Sequence, residues 1–468
     1  MELFIICVFA VILLACILTD VGLIEALLIG YGLFFYYSWR KGFSVREILG
    51  FSWNGISTIK NILYTFLLIG VITAVWRSCG TIAFIVHYAL PLCNPAIMLL
   101  ADFLLCAMIS TLIGTSFGSA GTMGIICMSL STSMGIDPLY AGGAILSGVY
   151  FGDRSSPLST SALLVSTITD TEMHKNLKNM FSCAWIPFFI TCIVYFLLGW
   201  GNATSSGSSD MSNILSESYD LSWPMVIPAL LVVLLSLKKI EVRITLFISI
   251  ICGMALAVIY QDVTIAELGQ QIVWGFHPEN EALARVMSGG GILSMMLVFG
   301  VVMISSSYAG IFQGTGFFEP LKKIRSYLER KLSYFGSMMA ISMITGAVAC
   351  NQVLSSVLTH QFFIDKDTAA RENKADGIQK SAEAAEMQKT LGMPAADRPE
   401  DKKYRLALDL ENSVIVMTPL IHWSIAGGAP LSAAGAEIAS IPFAFYLVIL
   451  PFYYLFIGRK KSLATSKE

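Results

Sequence analysis

Apolar residues dominate this chain in long blocks, and the short polar interruptions between them define its organisation. Residues 3–18 and 21–38 read as a helical hairpin around Thr19-Asp20. Residues 61–92 follow, too long for one helical crossing of about 20 residues. They are interrupted at Trp76-Arg77-Ser78-Cys79-Gly80, which predicts a kinked or broken crossing. Residues 96–113 return and carry Asp102, which reads as a structural partner of Arg77 across helices. Gly114 to Thr122 is small and polar, a poor helix and a good place for ligand-facing backbone, so Thr115 and Ser116 become candidate site residues. A helix to about Met134, a turn at Gly135-Ile-Asp-Pro138 and a re-entering segment then lead to Gly148-Val-Tyr-Phe-Gly-Asp-Arg-Ser-Ser-Pro-Leu-Ser-Thr-Ser-Ala162.

That stretch places a carboxylate, a guanidinium, a proline and a run of hydroxyls inside lipid-soluble sequence. Charges at bilayer depth are costly and are usually retained for function. Irregular backbone survives there only when buried in protein or lining a wet cavity. The stretch therefore reads as half of a transport site, with Asp153, Arg154, Ser156, Ser159, Thr160 and Ser161 as candidate ion- or substrate-binding residues. Asp153, Ser159 and Thr160 are candidate Na⁺ ligands. The plainer reading is a buried pair and hydroxyls that only stabilise packing.

Composition agrees with the pattern. The 468 residues are 55% hydrophobic and 13% charged, where a soluble chain carries about a quarter charged residues. Mean hydropathy is +0.70. The expected class is an all-α polytopic membrane protein with roughly 10–13 transmembrane segments. Its partners are the lipid bilayer and transported solutes; no basic patch suggests nucleic acid. The ten cysteines form no CxxC or zinc spacing and read as small buried residues. Met1-Glu2 lacks the basic region of a signal peptide, so residues 3–18 should remain as the first span.

Basic residues give the orientation. Arg40, Lys41, Arg46 and Lys60, then His174, Lys175 and Lys178, then Lys238, Lys239 and Arg243, then Lys322 to Lys331, and finally Arg459 to Lys461 mark one side. Residues 201–222, with Asn202-Ala-Thr204 as a glycosylation pattern, and the segment with Glu267, Glu279 and Glu281 mark the other. Both termini are expected in the cytoplasm. Residues 364–407, rich in Lys, Glu, Asp and Ala, read as a partly helical or disordered cytoplasmic insertion.

Ser156-Pro-Leu158 has a counterpart in Thr418-Pro-Leu420, each following a small or polar break: Gly114–Thr122 in the first case, Thr345–Gln352 in the second. The lengths match once the insertion is removed, and the orientations are opposite. Inverted-topology repeats with paired broken helices are a signature of secondary transporters. The expected organisation is an N-terminal hairpin and loop (1–60), a first transport repeat (61–180), connecting spans (181–288), a second inverted repeat (289–458) and a tail (459–468). Asn351, Gln352, Glu411, Asn412, Thr418, His422 and Trp423 are the second-half candidates. A homodimer is carried as a candidate assembly.

Gly114-Thr-Ser-Phe-Gly-Ser-Ala-Gly-Thr-Met-Gly124, the stretch from Gly148 to Ser159, and Leu410-Glu-Asn-Ser-Val-Ile-Val-Met-Thr-Pro-Leu-Ile-His-Trp-Ser424 together resemble the NhaC family of sodium/proton antiporters. Trp76 with Gly80-Thr81, and Gly314-Thr-Gly316, fit as well. The resemblance implies an inverted-repeat ion-transporter fold, cation/proton exchange at the cytoplasmic membrane, and no cofactor beyond the transported Na⁺ and H⁺. It also marks departures. Thr160 and Leu163 stand where the family usually keeps an aspartate and an asparagine. Asn412 replaces an expected aspartate, and His422-Trp423-Ser424 replaces Pro-Trp-Asn.

Those departures keep a second function open: ion-coupled exchange of a small organic acid or amino acid. It would need Arg154, His422 and Trp423 to face the cavity, the arginine holding a carboxylate in bidentate fashion. An enzyme is not expected. An aspartyl intramembrane protease needs Gly-x-Gly-Asp, and position 150 is Tyr; there is no HExxH, and no GxxxxGK[ST] for an ATP-driven pump.

Overall fold

A computed structural model describes residues 2–18, 22–201, 208–318, 323–364 and 399–458. The turn at Thr19-Asp20, Asn202-Ala-Thr204, Lys322, the charged tail and residues 365–398 of the insertion lie outside the described residues. What is described is helical, with one isolated bridge between Phe276 and Gly289.

The first half comprises α1 (Glu2–Leu18), α2 (Leu23–Arg40), α3 (Val45–Thr58), α4 (Lys60–Ser78), α5 (Thr81–Ala89), α6 (Pro95–Ile113), α7 (Ser116–Ser119), α8 (Ile125–Ser133), α9 (Pro138–Ser155), α10 (Thr160–Ile168) and α11 (Met173–Gly201). Then come α12 (Ser208–Ser218), α13 (Ile227–Leu237), α14 (Val242–Tyr260), α15 (Ile265–Trp274), α16 (Glu281–Met287), α17 (Met296–Thr315) and α18 (Lys323–Lys331). The chain ends with α19 (Tyr334–Ala349), α20 (Gln352–Phe363), α21 (Pro399–Asn412), α22 (Val414–Met417), α23 (Ile425–Ala434) and α24 (Phe445–Tyr453). Among the described residues, five helices are long and apolar enough to cross a bilayer singly, or up to seven if each of two bent pairs is one span. The sequence led to an expectation of roughly 10–13 segments; shorter apolar helices, Phe4–Leu13, Tyr334–Ala349 and Phe445–Phe456, lie outside that length criterion.

Local chemistry sets the boundaries. Asn94 and Asp137 cap α6 and α9 by accepting from Ala96 N and Leu139 N, each at 2.9 Å, with proline in the first turn of each helix. Gly80, at φ 81°, ends α4 and breaks the long 61–92 segment where its polar cluster predicts. The loop read at 40–60 instead contains α3. Its capping box, Ser44 with Glu47, was in the sequence. Hydrogen bonds from the Ser44 backbone and hydroxyl hold the Glu47 carboxyl below its ordinary value.

The breaks come in two matched pairs. After α6, Gly114 is left-handed (φ 75°) and Thr115 extended before α7; after α19, Cys350 is left-handed (φ 52°) and Asn351 extended before α20. Gly114 N bonds Ser110 O at 2.7 Å, and Cys350 N bonds Gly346 O at 2.9 Å. After α9, Ser156 is extended and Ser159 caps α10; after α22, a 3₁₀ turn leads to Ile421, extended, and Ser424 caps α23. Ser159 N bonds Ser156 O at 3.2 Å, and Ser424 N bonds Ile421 O at 2.9 Å.

This geometry shifts the repeat register. Sequence pairs Ser156 with Thr418 through their following Pro-Leu, whereas the backbone pairs Ser156 with Ile421 and Asp153 with Thr418. The reason is local. Pro157 forces Ser156 into the extended region, but Pro419 sits inside the 3₁₀ turn Thr418–Leu420, so the extended residue, Ile421, comes three residues after Thr418.

The pairing of α6 with α9 is the most extensive in the molecule. Gly148 and Gly152 form a small-residue stripe four apart, the kind that lets membrane helices approach closely. A Cβ on Gly152 would fall 2.3 Å from Ser110 Cβ and 2.4 Å from Thr111 N. Ser110 Oγ donates to Val149 O at 2.6 Å in the same seam. Gly55 and Gly310 make a comparable crossing between α3 and α17. Arg77 and Asp102 do not pair as expected. Asp102 Oδ2 accepts from Ser131 Oγ at 2.6 Å, and Arg77 Nη1 donates to Thr73 O at 3.3 Å. All ten cysteines are free.

Gly152→Val should overpack the α6–α9 seam by at least about 1–3 kcal/mol. The expected result is a lowered thermal midpoint in detergent and less folded protein in membranes. An unchanged midpoint would remove this seam from the account.

Candidate functional site

A cavity of about 320 Å³ lies where the four breaks meet. Its wall is formed by matched pairs: Thr115 with Asn351, Ser116 with Gln352, Thr160 with Ile425, and Ser161 with Ala426. Asp153 adds the carboxylate at its inner end, while its counterpart Thr418 turns away and donates to Val414 O at 2.6 Å. The cradle is therefore near-symmetric in backbone and asymmetric in charge.

Helix ends supply the electrostatics. The N-termini of α7, α10, α20 and α23 start at the cavity and favour negative charge there. The C-terminal ends of α6, α9 and α19 lie at the same breaks. Ser159 Oγ donates to Asp153 Oδ1 at 2.9 Å, lies 2.7 Å from Ser161 Oγ, and accepts from Ser161 N and Ala162 N. The N-cap of α10 thus holds the acid. The Ser116 hydroxyl also faces Asp153.

Other predicted residues form a second layer. Arg154 is fully buried; its Nη2 donates to Asn412 Oδ1 at 2.5 Å and its Nε to Glu411 O at 3.3 Å, with Cys183 Sγ at 3.4 Å. The guanidinium is absent from the cavity wall. Glu411 is fully buried, its carboxylate oxygens hydrogen-bond to no described residue, and it interacts electrostatically with Arg154 and Asp153. With both acids ionised, this triad carries an excess negative charge that a bound cation or proton would neutralise.

Some candidates stand elsewhere. Ser156 ties the break to α6 by donating to Thr111 O at 2.7 Å. Trp423 Nε1 donates to Ala347 O at 2.8 Å, and His422 is exposed; both line a different cavity. Gln352 faces the site and also donates to Ile415 O at 3.2 Å, and Asn351 caps α20.

Sequence reading missed four contributors. Asn61 and Thr65 of α4 line the cavity. Arg243, paired with Glu241, donates to Asn61 Oδ1 at 2.9 Å at its mouth. Tyr150 OH donates to Ala426 O at 2.6 Å and joins α9 to α23. A tyrosine in the middle of a small-residue stripe was the available signal for that last link.

The family profile described as the Na⁺/H⁺ antiporter family matches residues 148–369, starting at Gly148 of the α9 stripe. The chain is 28% identical over 426 residues to the Na⁺/H⁺ antiporter NhaC of Alkalihalophilus pseudofirmus, covering 86% of this chain and 84% of that one. Over residues 148–369 the chain is similar to the Na⁺/H⁺ antiporter family. It is also 28% identical over 367 residues to a malate-2H⁺/Na⁺-lactate antiporter of Bacillus subtilis, covering 76% and 78% of the two chains. To the arginine/ornithine antiporter ArcD of Halobacterium salinarum it is 25% identical, covering 90% and 83%. The names of these relatives differ in cargo.

Asn412→Ala removes the acceptor that holds the buried guanidinium of Arg154. A hydrogen bond to a charged group contributes about 1.5–3 kcal/mol, so the variant should melt at clearly lower temperature in detergent. Arg243→Ala breaks a partly exposed pair and should cost under about 1 kcal/mol. Equal losses in the two variants would contradict the buried role of Arg154.

Proposed function

We propose that this protein is a secondary antiporter that exchanges Na⁺ for H⁺ at the Asp153 cavity. The observation that carries the reading is the composition of the cavity wall. Asp153 stands among hydroxyls and side-chain amides, the Arg154 guanidinium is turned away, and the other charged residues of the lining, Glu241 and Arg243, are paired with each other. Na⁺ favours oxygen ligands and a compensating negative charge, and a carboxylate that takes either Na⁺ or H⁺ makes the two compete for one position. Ser159, Ser161, Thr160, Thr115 and Ser116 hold and orient; Asp153 binds. Competition at one carboxylate couples the two fluxes, since loading one ion requires release of the other.

The two matched pairs of breaks support two inverted transport repeats, residues 61–180 and 289–458. The basic loops support a cytoplasmic-membrane protein with both termini inside and with Arg243, Glu241 and Asn61 at the cytoplasmic mouth. The chain is then seen with its site open to the cytoplasm.

A second reading, exchange of a small organic acid or amino acid, is favoured by one feature: Arg243 lines the same cavity near its mouth. Against it, Arg154 faces Asn412, and His422 and Trp423 lie outside this cavity.

Proteoliposomes decide between the two readings. Na⁺ alone should drive proton movement, and Asp153→Asn should reduce it at least about tenfold, equivalent to 1.4 kcal/mol, with the protein still folded in the membrane. Arg243→Ala should leave Na⁺/H⁺ exchange within about twofold. Near-normal exchange by Asp153→Asn, or an absolute need for an amino or carboxylic acid, would overturn the reading.

A further inference from the structure

A second cavity, about 340 Å³, lies on the other face of α23. It begins at the break, with His422, Trp423 and Ser424, passes Ser432, and ends at Glu437 and Ala439 beyond the helix. Its far wall is the first part of α17, including Leu297 and Val301. Ile425 lines this cavity and the Asp153 cavity alike. On α17, Val301 faces the second cavity and Val302 the first. The two spaces are therefore divided by a thin apolar septum, Ile425 against Val301 and Val302.

The second cavity carries polar groups at both ends. The break from Ile421 to Ser424 is irregular backbone at membrane depth, and His422 within it is exposed. Such backbone persists in a membrane only where protein covers it or water reaches it. The far end carries an exposed glutamate, Glu437, in a segment from Leu431 to Ile441 that has no Lys or Arg. That marks the side opposite to the basic loop of Lys238, Lys239 and Arg243, of which Arg243 lines the Asp153 cavity. Two spaces thus approach one half-helix N-terminus from opposite sides.

We infer that the second cavity is the external access route to the Asp153 site, closed in this conformation by Ile425 against Val301 and Val302. The inference rests on the antiport reading for what passes through the route, but not for where the route lies. The septum is pinned at two points, since Ile425 N bonds Cys350 O at 3.0 Å and Tyr150 OH bonds Ala426 O at 2.6 Å. Opening to the outside requires both bonds to break and the start of α23 to move away from α17. His422 and Glu437 then line the way in.

Single cysteines report this directly. In right-side-out vesicles, His422→Cys and Ser432→Cys should react with a membrane-impermeant maleimide added outside, above the labelling of the parent. Thr160→Cys should react only from the cytoplasmic face in inside-out vesicles. As a second measurement on the otherwise native chain, Ile425→Ala should raise external labelling of Thr160→Cys at least about threefold. Labelling of Ser432→Cys and His422→Cys only from the cytoplasmic face, or only by a lipid-permeant maleimide, would overturn the route. An Ile425→Ala chain without increased external labelling of Thr160→Cys would overturn the septum. These readouts need no transported ion. Failure of Na⁺-driven proton exchange would remove the antiport reading while leaving the labelling pattern intact.

Discussion

Lipid cannot hydrogen-bond a peptide group, and the placement of the functional groups follows from that restriction. Breaking a helix at membrane depth strands N–H and C=O groups, each costing several kcal/mol if left bare. The chain breaks four helices in one place and uses the breaks to satisfy each other. Ile425 N, at the start of one half-helix, bonds Cys350 O at the end of another. Ser159 and Ser424 cap the half-helices that follow their turns.

Close packing makes this arrangement possible. Gly148 and Gly152 bring α9 against the α6 backbone, and Asp153 and Arg154 follow directly on that stripe. Adjacent residues on a helix point in different directions. One seam therefore sends the carboxylate into the cavity and the guanidinium toward Asn412. The same stripe carries Tyr150, whose hydroxyl reaches the start of α23. Packing, charge placement and the link between the two halves all depend on fifteen or so residues of sequence around Gly148.

Much of this was legible in the sequence. The breaks at Gly80, Gly114, Ser156 and near Asn351 were marked by small, polar or proline residues, and Asp153, Thr115, Ser116, Thr160, Ser161, Asn351 and Gln352 do converge. Other features were hidden for physical reasons. Thr418-Pro-Leu mimics Ser156-Pro-Leu, but the turn is defined by the capping serine, and a 3₁₀ turn absorbs Pro419 without ending the helix. Side-chain direction across helices is set by tertiary packing, so Arg77 and Asp102 looked like partners yet lie with Thr73 and Ser131. Helix α3 was obscured because its polar residues resembled a loop, although its capping box was present.

The unequal pair Asp153 and Thr418 has a consequence for how cargo sits. In a cradle with matched walls and a carboxylate at only one of the two matched positions, the negative charge sits off centre, against α9 and α10 and away from α22. The halves then have separate duties despite their shared backbone: one carries the load, and the other forms the wall it slides past. A duplicated scaffold has in this way become a directional one, with near-mirrored architecture and a single point of attachment.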